Sequence, residues 1–384
     1  MTRSFFRTLL LFLLIVGLSV AVGAAHHALR GGSVLRGGSV LRGGTLAGLS
    51  GSGADLVKAA QQRLAQVIPS AAFGRNNGPI HVYFTPSDGP GAERLDEAFL
   101  DFLRSARRSI HGAFYDFQWA EAARVLIEKR NEGVDVGLVS DSDYEDREAV
   151  KICLRAGIKV VFDQRNGLMH DKFCVVDGER VWTGSTNCTE NCMFRNNNNS
   201  VVVVSDKLAA DYAAEFQEMF TLGKFGKGSP RATPYPQLTV EGVDIECYFA
   251  PEDDVYKEVE AEIDAARATI DFMAFSFTSR DLAKAMAKRQ GDGVRVRGLF
   301  DAQQAASRYS QDEYLAEKGA AVYRDRNPHV MHHKVIVVDG QTVVTGSYNF
   351  SKSAQEKNDE NVVVIHSAEI AKDYVREFEK LALN

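Results

Sequence analysis

Two histidine–lysine pairs recur at matched spacing in this chain, and they are the residues best suited to chemistry. His170 and Lys172 stand in the run Met169-His-Asp-Lys-Phe-Cys-Val-Val-Asp-Gly178; His332 and Lys334 stand in Met331-His-His-Lys-Val-Ile-Val-Val-Asp-Gly340. Each run leads to Gly-Ser-Xaa-Asn, which supplies Ser185 and Asn187, then Ser347 and Asn349. Side chains alternate along a strand, so each His shares a face with its Lys, while Asp177 and Asp339 fall on the opposite face. Asp177-Gly178 also reads as a hairpin turn into the returning strand. Brought together, the copies offer two imidazoles, two ammonium groups, two hydroxyls and two amides, with no carboxylate cage for Mg²⁺. Lysines and amides suit the non-bridging oxygens of a phosphodiester and the charge that develops on them. One His can attack phosphorus; the other can protonate the leaving oxygen and then activate water. This chemistry asks for no metal and no cofactor.

The elements that must position these groups also occur twice. Ile80-His-Val-Tyr-Phe-Thr-Pro86 returns as Ile245-Glu-Cys-Tyr-Phe-Ala-Pro251. A helix-period stretch follows each (92–105 and 254–266), then an apolar strand (110–117 and 270–277), a second helix, and a strand ending at Asp141 or Asp301. Helices over 207–220 and 368–381 close the halves. Alternating strands and helices predict an α/β fold in each half, with two sheets packed around a pseudo-twofold interface. The Pro-containing stretch 229–237 is the natural link, giving repeats over 54–228 and 238–384.

The pattern His-Xaa-Lys-Xaa4-Asp-Xaa6-Gly-Ser, complete from His170 to Ser185 and again from His332 to Ser347, resembles the signature of the phospholipase D superfamily. The resemblance covers residues 79–384. It implies a duplicated phospholipase D-like fold, a phosphohistidine intermediate between the halves without a metal, and a structural role for Asp177 and Asp339 within the motif set His170, Lys172, Asp177, His332, Lys334 and Asp339. Ser185, Asn187, Ser347 and Asn349 would bind or orient the phosphate. Many members also carry an acidic residue before an Asn, downstream, to orient a catalytic His. The second half has Glu360-Asn361, whereas the first has Asn198-Asn199. If each partner contacts the His of its own half, the carboxylate makes His332 the protonated acid and leaves His170 as the nucleophile.

Other residues read more plainly. Asp141 and Asp301 are expected as helix caps or loop hydrogen-bonders. His333 is expected on the structural face, and His329 is a lesser candidate for substrate binding. Tyr115, Phe117, Trp119, Phe275 and Phe277 lie at strand ends where a substrate could enter, with core packing expected for most of them. Cys153, Cys174 and Cys247 read as small buried hydrophobes, and Cys188 with Cys192 as a possible disulfide in an exported protein.

Composition narrows the substrate. At 45% hydrophobic and 25% charged, the 384-residue chain is ordinary globular material, and one apolar run excludes a polytopic transporter. The formal charge is −6; residues 1–53 hold five Arg and no acidic residue, so the rest carries −11. An acidic body lacks the broad basic face of a nucleic-acid binder. Residues 1–25 read as a signal peptide or membrane anchor, and 26–53, with the repeat Leu-Arg-Gly-Gly-Ser-Val, as a flexible linker. The expected setting is extracytoplasmic, near a phospholipid surface. The resulting expectation is a phospholipase D-type phosphodiesterase releasing phosphatidic acid. A metal-independent endonuclease or a cardiolipin synthase-like transphosphatidylase is the alternative, and a non-catalytic binding protein is disfavoured because every motif side chain is present. A duplicated chain can complete its site as a monomer.

Overall fold

A computed structural model describes residues 78–87 and 93–383. The leader and linker expected over 1–53 lie outside the described residues. The first half runs β1 (Ile80–Thr85), α1 (Leu95–Arg104), β2 (Ser109–Phe114), α2 (Ala120–Asn131), β3 (Asp135–Ser140), α3 (Glu148–Arg155), β4 (Lys159–Phe162), β5 (Lys172–Val176), β6 (Arg180–Gly184), α4 (Glu190–Phe194), β7 (Asn198–Val204) and α5 (Asp206–Phe220). The second half adds β8 (Gln237–Val240), then repeats the series as β9 (Val243–Ala250), α6 (Val255–Ala265), β10 (Thr269–Ala274), α7 (Arg280–Gly291), β11 (Arg295–Phe300), α8 (Asp312–Glu317), β12 (Ala321–Arg324), β13 (Lys334–Val338), β14 (Thr342–Gly346), α9 (Lys352–Glu356), β15 (Glu360–His366) and α10 (Ala368–Leu383).

Each half folds its strands into one mixed sheet. The orders are β1-β7-β6-β5-β2-β3-β4 and β12-β11-β10-β13-β14-β15-β9-β8, the same arrangement with β8 added at one edge. Strands β2, β3 and β4 are parallel, because helices carry the chain back between them; β5 and β6 are antiparallel, because only the short turn at Asp177-Gly178 joins them.

Period-two burial then layers the molecule. Along β5, Phe173 and Val175 enter a core shared by both halves, while Cys174 and Val176 enter the outer core of the first half. Along β13, Val335 and Val337 face the shared core, and Ile336 and Val338 the outer core of the second half. Tyr212 and Phe216 of α5, with Tyr374 and Phe378 of α10, also belong to the shared core. Both sheets are therefore buried on two faces, which explains why their strands read as continuous apolar runs.

All five cysteines are buried free thiols. Cys188 and Cys192 are not joined: Asn196 Nδ2 donates to the Cys192 sulfur at 3.5 Å, and the Cys188 carbonyl accepts from the Gln118 and Trp119 N–H groups. Among the described residues no helix is long and apolar enough to cross a membrane.

Candidate active site

The motif strands meet where the halves join, and the meeting is reciprocal. The His170 N–H donates to the Asp359 carbonyl (2.9 Å), and the His332 N–H to the Asn197 carbonyl (2.8 Å). Met169 bridges in parallel to Asp359, and Met331 to Asn197. Each His therefore enters its motif strand fastened to the segment that opens the last strand of the other half. Asp141 and Asp301 secure the same point: Asp141 accepts from the Met169 N–H at 2.9 Å and Asp301 from the Met331 N–H at 3.1 Å, while each also caps the loop after its own strand.

This crossing corrects the expectation that each polar partner serves the His of its own half. Glu360 Oε2 lies 2.7 Å from His170 Nδ1, and Asn198 Oδ1 lies 3.0 Å from His332 Nδ1. Linear spacing could not reveal it, because each last strand opens beside the other half's motif. His332 Nδ1 also lies 3.0 Å from the Ser185 carbonyl; with two acceptors around it, Nδ1 carries the proton and Nε2 is the free nitrogen.

The two serines orient these partners. Ser347 Oγ donates to Glu360 Oε2 at 2.7 Å and accepts from the Asn361 N–H at 2.9 Å. Ser185 Oγ donates to Asn198 Oδ1 at 3.2 Å and accepts from the Asn199 N–H at 3.1 Å. Their hydroxyls are thus committed to holding side chains. The preceding glycines have a steric reason: Gly184 and Gly346 sit at φ +145° and +149°, and a Cβ there would stand 2.3 and 2.2 Å from the Asn199 and Asn361 carbonyl oxygens. Asn187 and Asn349 each keep a buried side-chain oxygen without a protein partner.

Each lysine reaches back to its own motif His: Lys172 Nζ donates to the His170 carbonyl, and Lys334 Nζ to the His332 carbonyl at 2.7 Å. Both ammonium groups are almost fully buried. Each also lies over an aromatic ring, Tyr115 at 5.0 Å and Phe275 at 4.9 Å. The same rings pack on His170 and His332 at a centroid separation of 4.8 Å. Tyr115 and Phe275 are therefore walls of the site; their signal was position, one residue past the end of β2 and β10, the strands paired with the two motif strands. Phe117, Trp119 and Phe277 are core residues, as expected.

Asp177 and Asp339 do not join this cluster. They close the far ends of β5 and β13 in the left-handed region (φ 58° and 53°). Asp177 accepts from the Arg107, Arg108 and Ser109 N–H groups, and Asp339 from those of Arg267, Ala268 and Thr269. Burial opposes their ionisation, but those donors outweigh it and hold both carboxyls below the ordinary value. They anchor the motif turn. His333, on the opposite face from its neighbours, lies with Nδ1 3.1 Å from Asn199 Oδ1, and His329 is exposed.

Electrostatics favour an anion. Burial, then Lys172 and Lys334, push His170 well below its ordinary value; burial, then Lys334 and Lys172, do the same to His332. Burial lowers Lys172 to about 8 and raises Glu360 to about 7. Two lysines sharing one buried site disfavour each other's charge, and a phosphodiester between them relieves that cost.

Known proteins carry the same architecture. The family described as "Cardiolipin synthase, PLD-like domain" matches residues 99–220 and again 259–382, more than half of the chain. A phospholipase D of Rickettsia bellii is 29% identical over 167 residues, 44% of this chain and 82% of that protein. The human mitochondrial cardiolipin hydrolase is 37% identical over 117 residues, 30% of this chain and 46% of that protein. The crystal structure of phosphatidylserine synthase from Haemophilus influenzae superposes with a TM-score of 0.60 at 14% identity, covering 84% of this chain and 89% of that one, which is a likeness of fold. With two matched domains, two complete motifs and a shared site between them, the chain belongs to the phospholipase D superfamily and is a phosphodiester-hydrolysing enzyme.

Proposed function

We propose that this protein is a phospholipid phosphodiesterase that releases phosphatidic acid through a phosphohistidine on His170. The observation that carries the role of His170 is the 2.7 Å contact between its Nδ1 and Glu360. As Nε2 bonds to phosphorus the imidazole becomes cationic, and a carboxylate on Nδ1 stabilises that charge. His332 has only neutral acceptors on Nδ1, the Asn198 amide and the Ser185 carbonyl, so its imidazolium gives up a proton more readily. With the carboxylate behind His170 and not behind His332, the same-half premise falls, and Glu360 acts by stabilising the imidazolium of the covalent intermediate.

In the first step, with the bound anion offsetting the two lysines so that His332 carries a proton on Nε2 as well as on Nδ1, His170 Nε2 attacks phosphorus, the bond to the headgroup oxygen breaks, and His332 passes its Nε2 proton to that oxygen. In the second, His332 takes a proton from water, the hydroxide attacks phosphorus, and the N–P bond breaks to release phosphatidic acid and neutral His170. Lys172, Lys334, Asn187 and Asn349 hold the non-bridging oxygens. Water and an acceptor alcohol compete at this second step, so transphosphatidylation is the same reaction with another acceptor.

Lipid is favoured over nucleic acid by the formal charge of −11 on residues 54–384 and by relatives named phospholipase D and cardiolipin hydrolase. An apolar leader over residues 1–25 would keep the enzyme extracytoplasmic and near a bilayer. The test incubates the full chain, with His170→Ala as control, with phosphatidylcholine, phosphatidylethanolamine and cardiolipin vesicles plus single-stranded DNA, in EDTA and in Ca²⁺. Phosphatidic acid from the wild type alone is the expected result. DNA cleavage with intact lipid would replace the lipid reading with a nuclease.

A further inference from the structure

We propose that Glu215, Glu218 and Glu252 form a binding site for a hard divalent cation of the Ca²⁺ class, fastening the first half to the second. Glu215 and Glu218 lie three residues apart on α5, and so on one helix face. Glu252 follows β9 of the other half. One ligand oxygen from each comes within 4.8 Å of the other two. Oxygens held about 2.4 Å from one Ca²⁺ stand up to about 4.8 Å apart, so this convergence is the size of a single ion.

Convergence of acids alone would mean little; the second observation is what these acids lack. Glu215 and Glu218 are more than nine-tenths buried, yet Glu218 Oε2 and Glu252 Oε2 have no hydrogen-bond partner. Among the described residues, no Lys, Arg or His comes within 4.0 Å of any of the three. Burial raises Glu218 to about 7, with Asp253 and Asp359 adding to the shift, and raises Glu252 to about 8, where a side-chain hydrogen bond with Glu215 opposes the shift and Glu218 and Asp253 add to it. Asp171, beside His170, adds to the same field on Glu215 and has its own buried unpartnered oxygen. Buried charge of one sign requires a counter-charge or bound protons.

The duplication supplies an internal control. Counting from Asn199 and Asn361, Glu215 corresponds to Glu377, Glu218 to Lys380 and Asp171 to His333; counting from Pro86 and Pro251, Glu252 corresponds to Ser87. There the chain provides its own cation, with Lys380 Nζ 3.5 Å from Glu377 Oε2; His333, which burial disfavours as a cation, lies with Nε2 3.9 Å from Glu377 Oε1, and neither of those two atoms has a hydrogen-bond partner. The same scaffold thus carries a balanced set in one half and an all-acid set in the other. Oxygen-only ligands select a hard ion such as Ca²⁺ over Zn²⁺.

The test measures thermal unfolding of the full chain after chelation, with and without millimolar Ca²⁺, and Tb³⁺ luminescence as a direct report of binding. A wild-type rise of about 5 °C or more with Ca²⁺ is expected. Glu218→Gln should abolish the rise and Tb³⁺ binding. Glu218→Lys, which imports the other half's solution, should melt above the wild type in EDTA and ignore Ca²⁺. His366→Gln, in the separate Glu246–Glu262–His366 cluster, should keep the response. The proposal fails if neither Ca²⁺ nor Tb³⁺ binds the wild type, in which case the carboxyls share protons only. It fails equally if the Ca²⁺ response survives in both Glu218→Gln and Glu252→Gln.

Discussion

The two halves hold the same strands in the same order and the same His, Lys, Ser and Asn, yet the groups around those residues differ in chemistry. Behind His170 stands a carboxylate, Glu360; behind His332 stands an amide, Asn198. Against His170 and Lys172 lies a tyrosine, against His332 and Lys334 a phenylalanine. Beneath the motif strands, Asp171 in one half answers to His333 in the other. The duplication holds two equivalent histidines, and divergence around them gives one a carboxylate partner and the other an amide, the difference on which the proposed roles of nucleophile and acid rest. Because the side chain that holds each motif His at Nδ1 comes from the other half, neither half holds a complete site alone.

Removing one His and then the other breaks the comparison most sharply. Replacing either with Ala should lower turnover of a phospholipid by about 10⁴-fold or more for His170 and about 10²- to 10⁴-fold for His332. The two losses differ in kind. A nitrophenyl leaving group needs no proton, so it should restore the first step in His332→Ala and leave His170→Ala inactive. With that substrate, a burst of nitrophenol and a phosphohistidine mapped to residue 170 are expected from His332→Ala. A phosphate mapped to residue 332 in the wild type would reverse the assignment.

The next effect belongs to Glu360. Its carboxyl titrates at about 7, raised chiefly by burial and restrained by Lys172. Above that pH it is ionised and supports the cation forming on His170; below it the support is lost. The wild-type kcat/KM should therefore rise as pH increases through about 7. Glu360→Gln should lose about 10²-fold at pH 8 and show no such rise. An unchanged pH profile in the variant would place the titration elsewhere.

Much of this was legible in the sequence because the relevant information is local or repeated. The 162-residue offset between the motifs exposed the duplication, period two put His170 with Lys172 and sent Asp177 to the other face, and continuous apolar runs marked the strands. The pairing of Glu360 with His170 was not legible. It depends on two chain segments 190 residues apart opening side by side, which no periodicity records. The serines were likewise ambiguous, since a hydroxyl that binds phosphate and one that orients a partner look alike until the acceptor is seen. Tyr115 and Phe275 stand at strand ends open to a substrate, but nothing in the sequence separates them from Phe117, Trp119 and Phe277, which pack in the core.

The turn anchors allow a comparison in stability. Asp177 and Asp339 both accept from three backbone N–H groups, but only Asp177 also pairs with a buried guanidinium, Arg180, at 3.1 Å. Asp177→Ala should cost about 3–4 kcal/mol by denaturant titration, because it leaves that buried guanidinium with only the Ser105 hydroxyl and carbonyl as hydrogen-bond acceptors, and Asp339→Ala about 2 kcal/mol. Both carboxyls lie below their unfolded value. Their contribution is thus complete above about pH 4 and fades as pH falls through the folded value. Activity per folded molecule should be nearly unchanged in both, which separates anchors from catalytic groups.

The smallest expected effect comes from erasing the difference between the aromatic walls. Tyr115→Phe makes the first wall match the second and removes only the hydroxyl, which lies 3.2 Å from the Tyr144 hydroxyl. The ring over Lys172 and against His170 remains, so the packing that positions both groups should persist. One neutral hydrogen bond is worth about 1 kcal/mol, and its partner Tyr144 is half-buried and can turn to water. The expected changes are less than about threefold in kcat/KM and within about 2 °C in Tm. Headgroup preference is the sharper readout. If only the rings matter, the ratio of phosphatidylcholine to phosphatidylethanolamine hydrolysis should be the same in wild type and variant. A shifted ratio would show that the Tyr115 hydroxyl faces the leaving group, making this wall, and not only Glu360, a place where the halves have divided the work.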